Sequence, residues 1–176
     1  MKKRSVLWSL WGFAVTALLG TLLHYLYDHA GGAVWAAPFS GVNESTWEHM
    51  KLLFWPMLLF ALVERIFVRD RRDFFCIKLC SILPGLFLIP ALFYTYNGAI
   101  GPSPDWLNIA IFFVSAAVAY WYEARRFLRE PSRICLPCLS LVALLAIGAL
   151  FVYFTFMPPA YPLFLDPVTG TYGIPK

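Results

Sequence analysis

Charged residues are scarce in this sequence. Only 14% of the 176 residues are charged, whereas 60% are hydrophobic. A soluble domain usually carries about a quarter charged residues. The polar stretches between the hydrophobic runs are too short to form a soluble domain of their own. The scarcity of charge therefore argues against a soluble protein and favours a single membrane domain over residues 1–176.

Two further features are missing. No cleavage site of the small-x-small type follows the first hydrophobic run, so we expect this run to be retained as a membrane span rather than removed as a signal peptide. The sequence also contains no internal repeat and no low-complexity segment. Nothing in it therefore indicates a repeat architecture.

Five hydrophobic stretches approach or reach the roughly 20 residues that a helix needs to cross a bilayer. They predict spans at about 6–27, 52–68, 74–96, 106–122 and 134–157, followed by an external tail at 158–176. The predicted fold is all-α, a polytopic membrane helix bundle of about five transmembrane helices. Pro84 and Pro90 fall inside the third span and predict a kink there.

The basic residues are distributed unevenly between the two predicted faces. Of the 14 Lys and Arg residues, all but Lys51 and Lys176 fall at the N-terminus, between spans two and three, or between spans four and five. Because Lys and Arg are retained in the cytoplasm during insertion, the N-terminus is predicted inside and the C-terminal tail outside. The basic surplus thus indicates a lipid bilayer as partner, with no nucleic acid.

Polar chemistry is concentrated at the predicted outer face. His24 and His29 end the first span, and His49 precedes the second. Three carboxylates lie close to them in sequence: Asp28, Glu44 and Glu48. This is the densest group of polar residues in the chain, and we treat it as the candidate site.

Part of this group resembles a family signature. The run NESTWEHMK at 43–51 resembles the NESxWEHxK pattern of a family of small bacterial integral membrane proteins of unknown function, and the tail at 163–174 resembles the C-terminal end of that family. The resemblance extends over the whole chain. It implies a bacterial origin, and with the predicted spans a multi-pass protein of the bacterial inner membrane, but no activity.

The polar group admits a structural interpretation. Ser45 and Glu48 have the spacing of a capping box, in which a Ser and a Glu three residues later bind free amides at a helix start. In a membrane protein such amides are costly to leave unpaired. Helix capping alone would therefore account for part of the motif.

Two chemical interpretations compete with capping. In the first, a divalent metal such as zinc is held by His24, Asp28 and His49, with Glu44 or Glu48 as a further ligand. No HExxH spacing supports this directly. In the second, Glu44, Glu48 and His49 perform acid–base catalysis without metal. Either chemistry predicts a hydrolase or transferase acting on a lipid-linked or small polar substrate, so enzymatic status stays open.

Two alternative functions use other features. The kinked third span and the outer carboxylates would suit an ion or small-solute carrier or channel subunit. A thiol redox or metal-handling protein would use four cysteines near the predicted inner face: Cys76, Cys80, Cys135 and Cys138. Since the cytoplasm keeps thiols reduced, we expect no stable disulfide there. Glu64, Glu123 and Glu130 are expected to form solvated ion pairs with nearby arginines.

Overall fold

The computed structural model describes the backbone of residues 2–174 and the side chains of residues 6–174. The cationic side chains of Lys2, Lys3, Arg4 and Lys176, which contribute to the predicted orientation, lie outside this range. Five α-helices fill most of the described chain: α1 Lys2–His29, α2 Thr46–Phe67, α3 Phe74–Ala99, α4 Asp105–Phe127 and α5 Pro137–Phe156. A short 3-10 helix follows at Pro162–Phe164. The all-helical prediction is confirmed.

Four of the helices are long and apolar enough to cross a membrane. They are α1 from Val6 onward, α3, α4 and α5. Helix α2, which carries Glu48, Lys51, Glu64 and Arg65, is not among them. Its role as the second span, and the orientation of the bundle, remain predictions. Pro84 and Pro90 both lie inside α3, which continues as one helix across them.

Helix α2 is the centre of the bundle. It contacts all four other α-helices and the 3-10 helix. Its Leu53, Phe54 and Met57 are at most 1% exposed and belong to the main apolar core. Because this helix is covered by protein on most of its surface, its charged side chains can find partners inside the bundle instead of facing lipid.

Helices α3 and α4 approach each other closely at Gly85. A Cβ atom at this position would lie 2.9 Å from Leu53 Cδ2 and 3.1 Å from Ala119 Cβ. Both distances are shorter than ordinary carbon–carbon contact. The glycine therefore lets α3 pack against α2 and α4 at once.

An ion pair joins the two connections at one end of the bundle. The Arg71 guanidinium donates to both carboxylate oxygens of Asp73, at 3.0 and 3.2 Å, and to the backbone carbonyls of Phe127 and Arg129. The Ser132 amide donates to Asp73 at 2.9 Å. Burial raises the pKa of Asp73, but hydrogen bonds from Arg71 and Ser132 outweigh it and leave the pKa below its usual value.

The other end is covered by the α1–α2 connection and the tail. Asn43 Nδ2 donates to the Gly173 carbonyl at 2.8 Å, and the Phe164 ring lies against Trp47 with centroids 4.8 Å apart. Ser40 accepts from the Tyr27 amide at 2.9 Å. These contacts join the tail to the α1–α2 connection and to the beginning of α2, and they hold the connection against the end of α1.

Candidate metal centre

Three side chains from three segments converge beside the start of α2. His24 Nε2 lies 3.7 Å from Glu44 Oε1, and His49 Nε2 lies 3.5 Å from Glu44 Oε2. The two imidazole centroids are 5.6 Å apart. One ligand atom of each residue falls within 4.8 Å of the others. Helix α1, the α1–α2 connection and α2 thus supply one donor each.

Hydrogen bonds at the start of α2 fix the backbone position of Glu44. Asn43 Oδ1 accepts from the Ser45 amide at 2.8 Å, which closes a tight turn around Glu44. Ser45 is the N-cap and accepts from the Glu48 amide. The Glu48 carboxylate accepts from the Val42 amide at 3.0 Å. Capping and the polar cluster therefore use the same motif, and neither interpretation excludes the other.

The orientation of His49 leaves one ring nitrogen free for a ligand. His49 Nδ1 lies 2.9 Å from the Ser45 carbonyl, which can only accept, so Nδ1 carries the proton. In the neutral ring, Nε2 then holds a lone pair and faces Glu44. Burial lowers the pKa of His49, opposed by the Ser45 carbonyl and the Glu44 and Asp166 carboxylates. The neutral, ligand-competent form is therefore favoured near neutral pH.

The spacing of the donors suits a small metal ion. Two ligands each about 2.0–2.1 Å from a tetrahedral zinc lie roughly 3.3 Å from each other. The His24–Glu44 and His49–Glu44 separations, each to a different Glu44 oxygen, are only slightly longer, and the three ligand atoms all lie within 4.8 Å of one another. The side chains of His24, His49 and Glu44 are 29%, 21% and 48% exposed, so the cluster is open to a ligand on one side.

Comparison with known proteins places the chain in a family. A family model matches residues 1–174. The chain belongs to DUF6512, a family of unknown function. The comparisons with curated proteins and with solved structures find no match. Membership of DUF6512 agrees with the expected uncharacterised family but assigns no chemistry, which has to be inferred from the geometry.

The remaining residues predicted for the outer site of this DUF6512 protein lie elsewhere. Within the described part of the chain, the carboxylate that meets the two histidines is Glu44 and not Asp28. Asp28 is exposed, as is His29, whose Nδ1 donates to the Tyr25 carbonyl at 2.9 Å. Of the predicted ligands, His24, His49 and Glu44 thus lie together, whereas Asp28 is not part of this group.

Glu48 is occupied by a buried ion pair that the sequence analysis missed. Lys51 is fully buried, and its Nζ lies 2.6 Å from Glu48 Oε2. It also donates to the Ala37 carbonyl and to Thr155 Oγ1, both at 2.8 Å. Glu48 is itself 3% exposed. The pair ties the α1–α2 connection and α5 to α2, and the three-residue spacing of Glu48 and Lys51 was the available signal.

The cysteines form a pair and not a group of four. Cys76 and Cys135 are joined by a disulfide with their Cα atoms 6.1 Å apart, whereas Cys80 and Cys138 are free and exposed. The expectation of reduced thiols is therefore wrong in this structure. The reason is tertiary: α3 and α5 are neighbours, and the chain before α5 brings Cys135 to the first turn of α3.

The expectation of solvated glutamates is wrong for two of the three. Glu64 and Glu123 are fully buried and both contact Lys78, which is 1% exposed. Glu130 is exposed, as expected. The arginine-rich sequence around these residues suggested surface pairs, but the buried partner is a lysine on another helix.

Proposed function

We propose that this DUF6512 protein is a multi-pass protein of the bacterial inner membrane that binds a divalent metal ion through His24, Glu44 and His49 at the outer face. The observation that carries this proposal is the convergence of two imidazoles and one carboxylate from separate segments. Zinc is the ion we expect, since it accepts both donor types and takes three protein ligands in catalytic sites.

Three protein ligands leave a coordination position for water. A zinc ion held by His24, Glu44 and His49 would supply Lewis-acid chemistry and would activate a water molecule toward a carbonyl or phosphoryl centre. The partial exposure of the cluster supports access for a substrate. The chemistry that fits is hydrolysis or group transfer.

A membrane-associated substrate follows from the position of the cluster. His24 lies in the last two turns of an apolar helix, and His49 lies in the first turn of α2. A polar site at helix ends meets lipid headgroups and water together. The placement of Arg71 and its neighbours at the opposite connections supports an outward-facing site, because basic loops stay in the cytoplasm.

Zinc titration of purified protein tests the proposal. We expect one zinc per chain, and His24→Gln, Glu44→Gln and His49→Gln should each weaken binding by more than the roughly 10- to 100-fold loss typical of a missing supporting hydrogen bond. His29→Gln and Asp28→Asn are matched controls from the same helix end and should bind as wild type. Equal losses in Asp28→Asn and Glu44→Gln, or no stoichiometric binding, would contradict the proposed ligand set.

A proton- or ion-linked carrier is the second candidate function. The observation that favours it is the buried cluster of Glu64, Lys78 and Glu123, because ionisable groups inside membrane bundles mark ion and proton paths. Uptake into proteoliposomes that depends on a pH gradient would support it, and uptake unaffected by the gradient would oppose it. The thiol alternative has less support, since the described cysteines do not converge as four.

A further inference from the structure

A second polar cluster lies inside the bundle, far along α2 from the metal centre. Lys78 of α3 forms an ion pair with Glu64 Oε2 of α2, and its Nζ lies 2.7 Å from Glu123 Oε2 of α4. The exposed fraction of each of the three side chains is at most 1%. Three helices thus contribute one charged group each to a site closed to solvent.

Two carboxylate oxygens in this cluster lack a hydrogen-bond partner in the part of the chain that the structure describes. Glu64 Oε1 is buried with none, and Glu123 Oε2, although close to Lys78, is not in the direction of a hydrogen bond. Glu123 Oε1 accepts from Ser9 of α1 at 3.2 Å. Buried oxygens without a partner are rare in native proteins, because the lost solvation is not recovered. They indicate that a hydrogen-bond donor is missing from the cluster.

The walls of the cluster are mainly aromatic. The rings of Phe60, Phe74 and Phe127 lie 5.8, 5.3 and 5.7 Å from Lys78 Nζ. Hard metal cations take six or more oxygen ligands, which such walls do not supply. A proton needs only one oxygen acceptor. The surroundings therefore favour a proton over a metal cation as the missing positive charge.

Among residues 6–174, the other ionisable groups nearby do not balance the cluster. From α4, the Tyr120 phenol lies close to the carboxylates but is engaged with Thr16 Oγ1 of α1 at 2.8 Å. From α2, Arg65 donates to the Val68 carbonyl and lies over the Phe74 ring. Neither makes an ion pair with the two glutamates among the described residues. The cluster holds two carboxylates and one ammonium, a formal charge of −1 when all three are ionised.

We propose that Glu64 and Glu123 together bind one exchangeable proton, which gives the buried cluster zero net charge while Lys78 stays an ammonium. An uncompensated charge in a low-dielectric interior is costly, and two carboxylates sharing one site do not both ionise readily. The proton comes from water and adds to a carboxylate oxygen, with no other bond made or broken. Glu64 Oε1 and Glu123 Oε2 are the candidate atoms to carry it, since no described residue donates a hydrogen bond to either.

Infrared spectroscopy of the purified protein tests this site directly. A protonated carboxyl group gives a C=O stretch that disappears on ionisation, so a pH titration should show one such signal at neutral pH that is lost at alkaline pH. Glu64→Gln and Glu123→Gln should each abolish it, because the remaining carboxylate is balanced by Lys78. Glu130→Gln, an exposed control on the same end of the bundle, should retain it. Absence of the signal in wild type, or its persistence in both cluster variants, would overturn the proposal.

Unfolding equilibria supply a second readout that does not depend on the infrared signal. Between the ordinary range of a free glutamate and the pH at which the cluster releases its proton, the folded state holds one more proton than the unfolded state. The folding equilibrium constant should therefore fall by about tenfold per pH unit in wild type and in Glu130→Gln. Glu64→Gln and Glu123→Gln, which keep the shape of the side chain, should lose this slope. The same slope in all four proteins would overturn the proposal.

Discussion

Replacement of Lys51 by methionine tests how the metal centre is supported. Methionine keeps most of the aliphatic stem of lysine but removes the ammonium. In the folded protein this ammonium has three partners: the Glu48 carboxylate, the Ala37 carbonyl and the Thr155 hydroxyl. The substitution therefore leaves three buried acceptors without their donor and changes the packing very little.

The expected loss of stability in Lys51→Met follows from the burial of the groups that Lys51 contacts. Glu48 is 3% exposed and retains only the Val42 amide as a donor among the contacts described above. Removal of one member of a buried ion pair costs about 3–5 kcal/mol, because the other charge is left uncompensated. In the double variant Lys51→Met with Glu48→Gln, no net charge stays buried, so we expect the destabilisation to fall to about half of that.

The assay is reversible unfolding in mixed micelles, followed by tryptophan fluorescence. Arg133→Met is the matched control, since it removes an exposed cation and should change stability by less than about 1 kcal/mol. Zinc affinity should also fall in Lys51→Met, because the connection that carries Glu44 is held through Ala37. Unfolding of Lys51→Met within about 1 kcal/mol of wild type would refute the reasoning.

Three further predictions concern other contacts. Asp73→Asn should lower the unfolding free energy by about 2 kcal/mol at neutral pH. Because the pKa of Asp73 is depressed in the folded state, the stability difference between wild type and Asp73→Asn should vanish as the pH falls below about 4. A stability difference that does not change with pH would contradict this. Alkylation without reductant should label two thiols and with reductant four, and four labels in both cases would disprove the Cys76–Cys135 disulfide. Phe164→Ala should cost about 3 kcal/mol in the same unfolding assay, because its ring packs on Trp47, and a neutral effect would show that the tail is not docked.

The helices were predictable because hydropathy reports on burial in lipid. The predicted spans 74–96 and 106–122 correspond to α3 Phe74–Ala99 and α4 Asp105–Phe127. Helix α2 was harder to predict as a span, because its charged residues interrupt the apolar stretch by which a span is identified. Only the packing of α2 at the centre of the bundle explains how those charges are accommodated.

The candidate site was only partly predictable. The sequence identified both histidines, because polar residues at the ends of apolar helices are conspicuous. It favoured Asp28 as a ligand because residues four apart share a helix face. The structure brings Glu44, which the sequence offered as a further ligand, to the histidines through a connection that folds back over the helix ends. Loop conformation of this kind depends on contacts distant in sequence, such as Asn43 with Gly173.

The buried charges were not predictable from local sequence. Lys78 lies close to the first residue of an apolar stretch. From such a position a lysine is expected to extend its ammonium group to the membrane interface. Its partners Glu64 and Glu123 lie on two other helices, so only the packing of α2, α3 and α4 brings them together. The same holds for Cys76 and Cys135, which are 59 residues apart.

X-ray absorption at the zinc edge of zinc-loaded protein is the most direct test of the metal centre. We expect a first shell of nitrogen and oxygen donors at about 2.0–2.1 Å, with scattering from two imidazole rings and none from sulfur. One ring should disappear in His24→Gln and one in His49→Gln. A shell that contains sulfur, or imidazole scattering that both substitutions leave unchanged, would contradict the assignment of His24, Glu44 and His49 as the metal ligands.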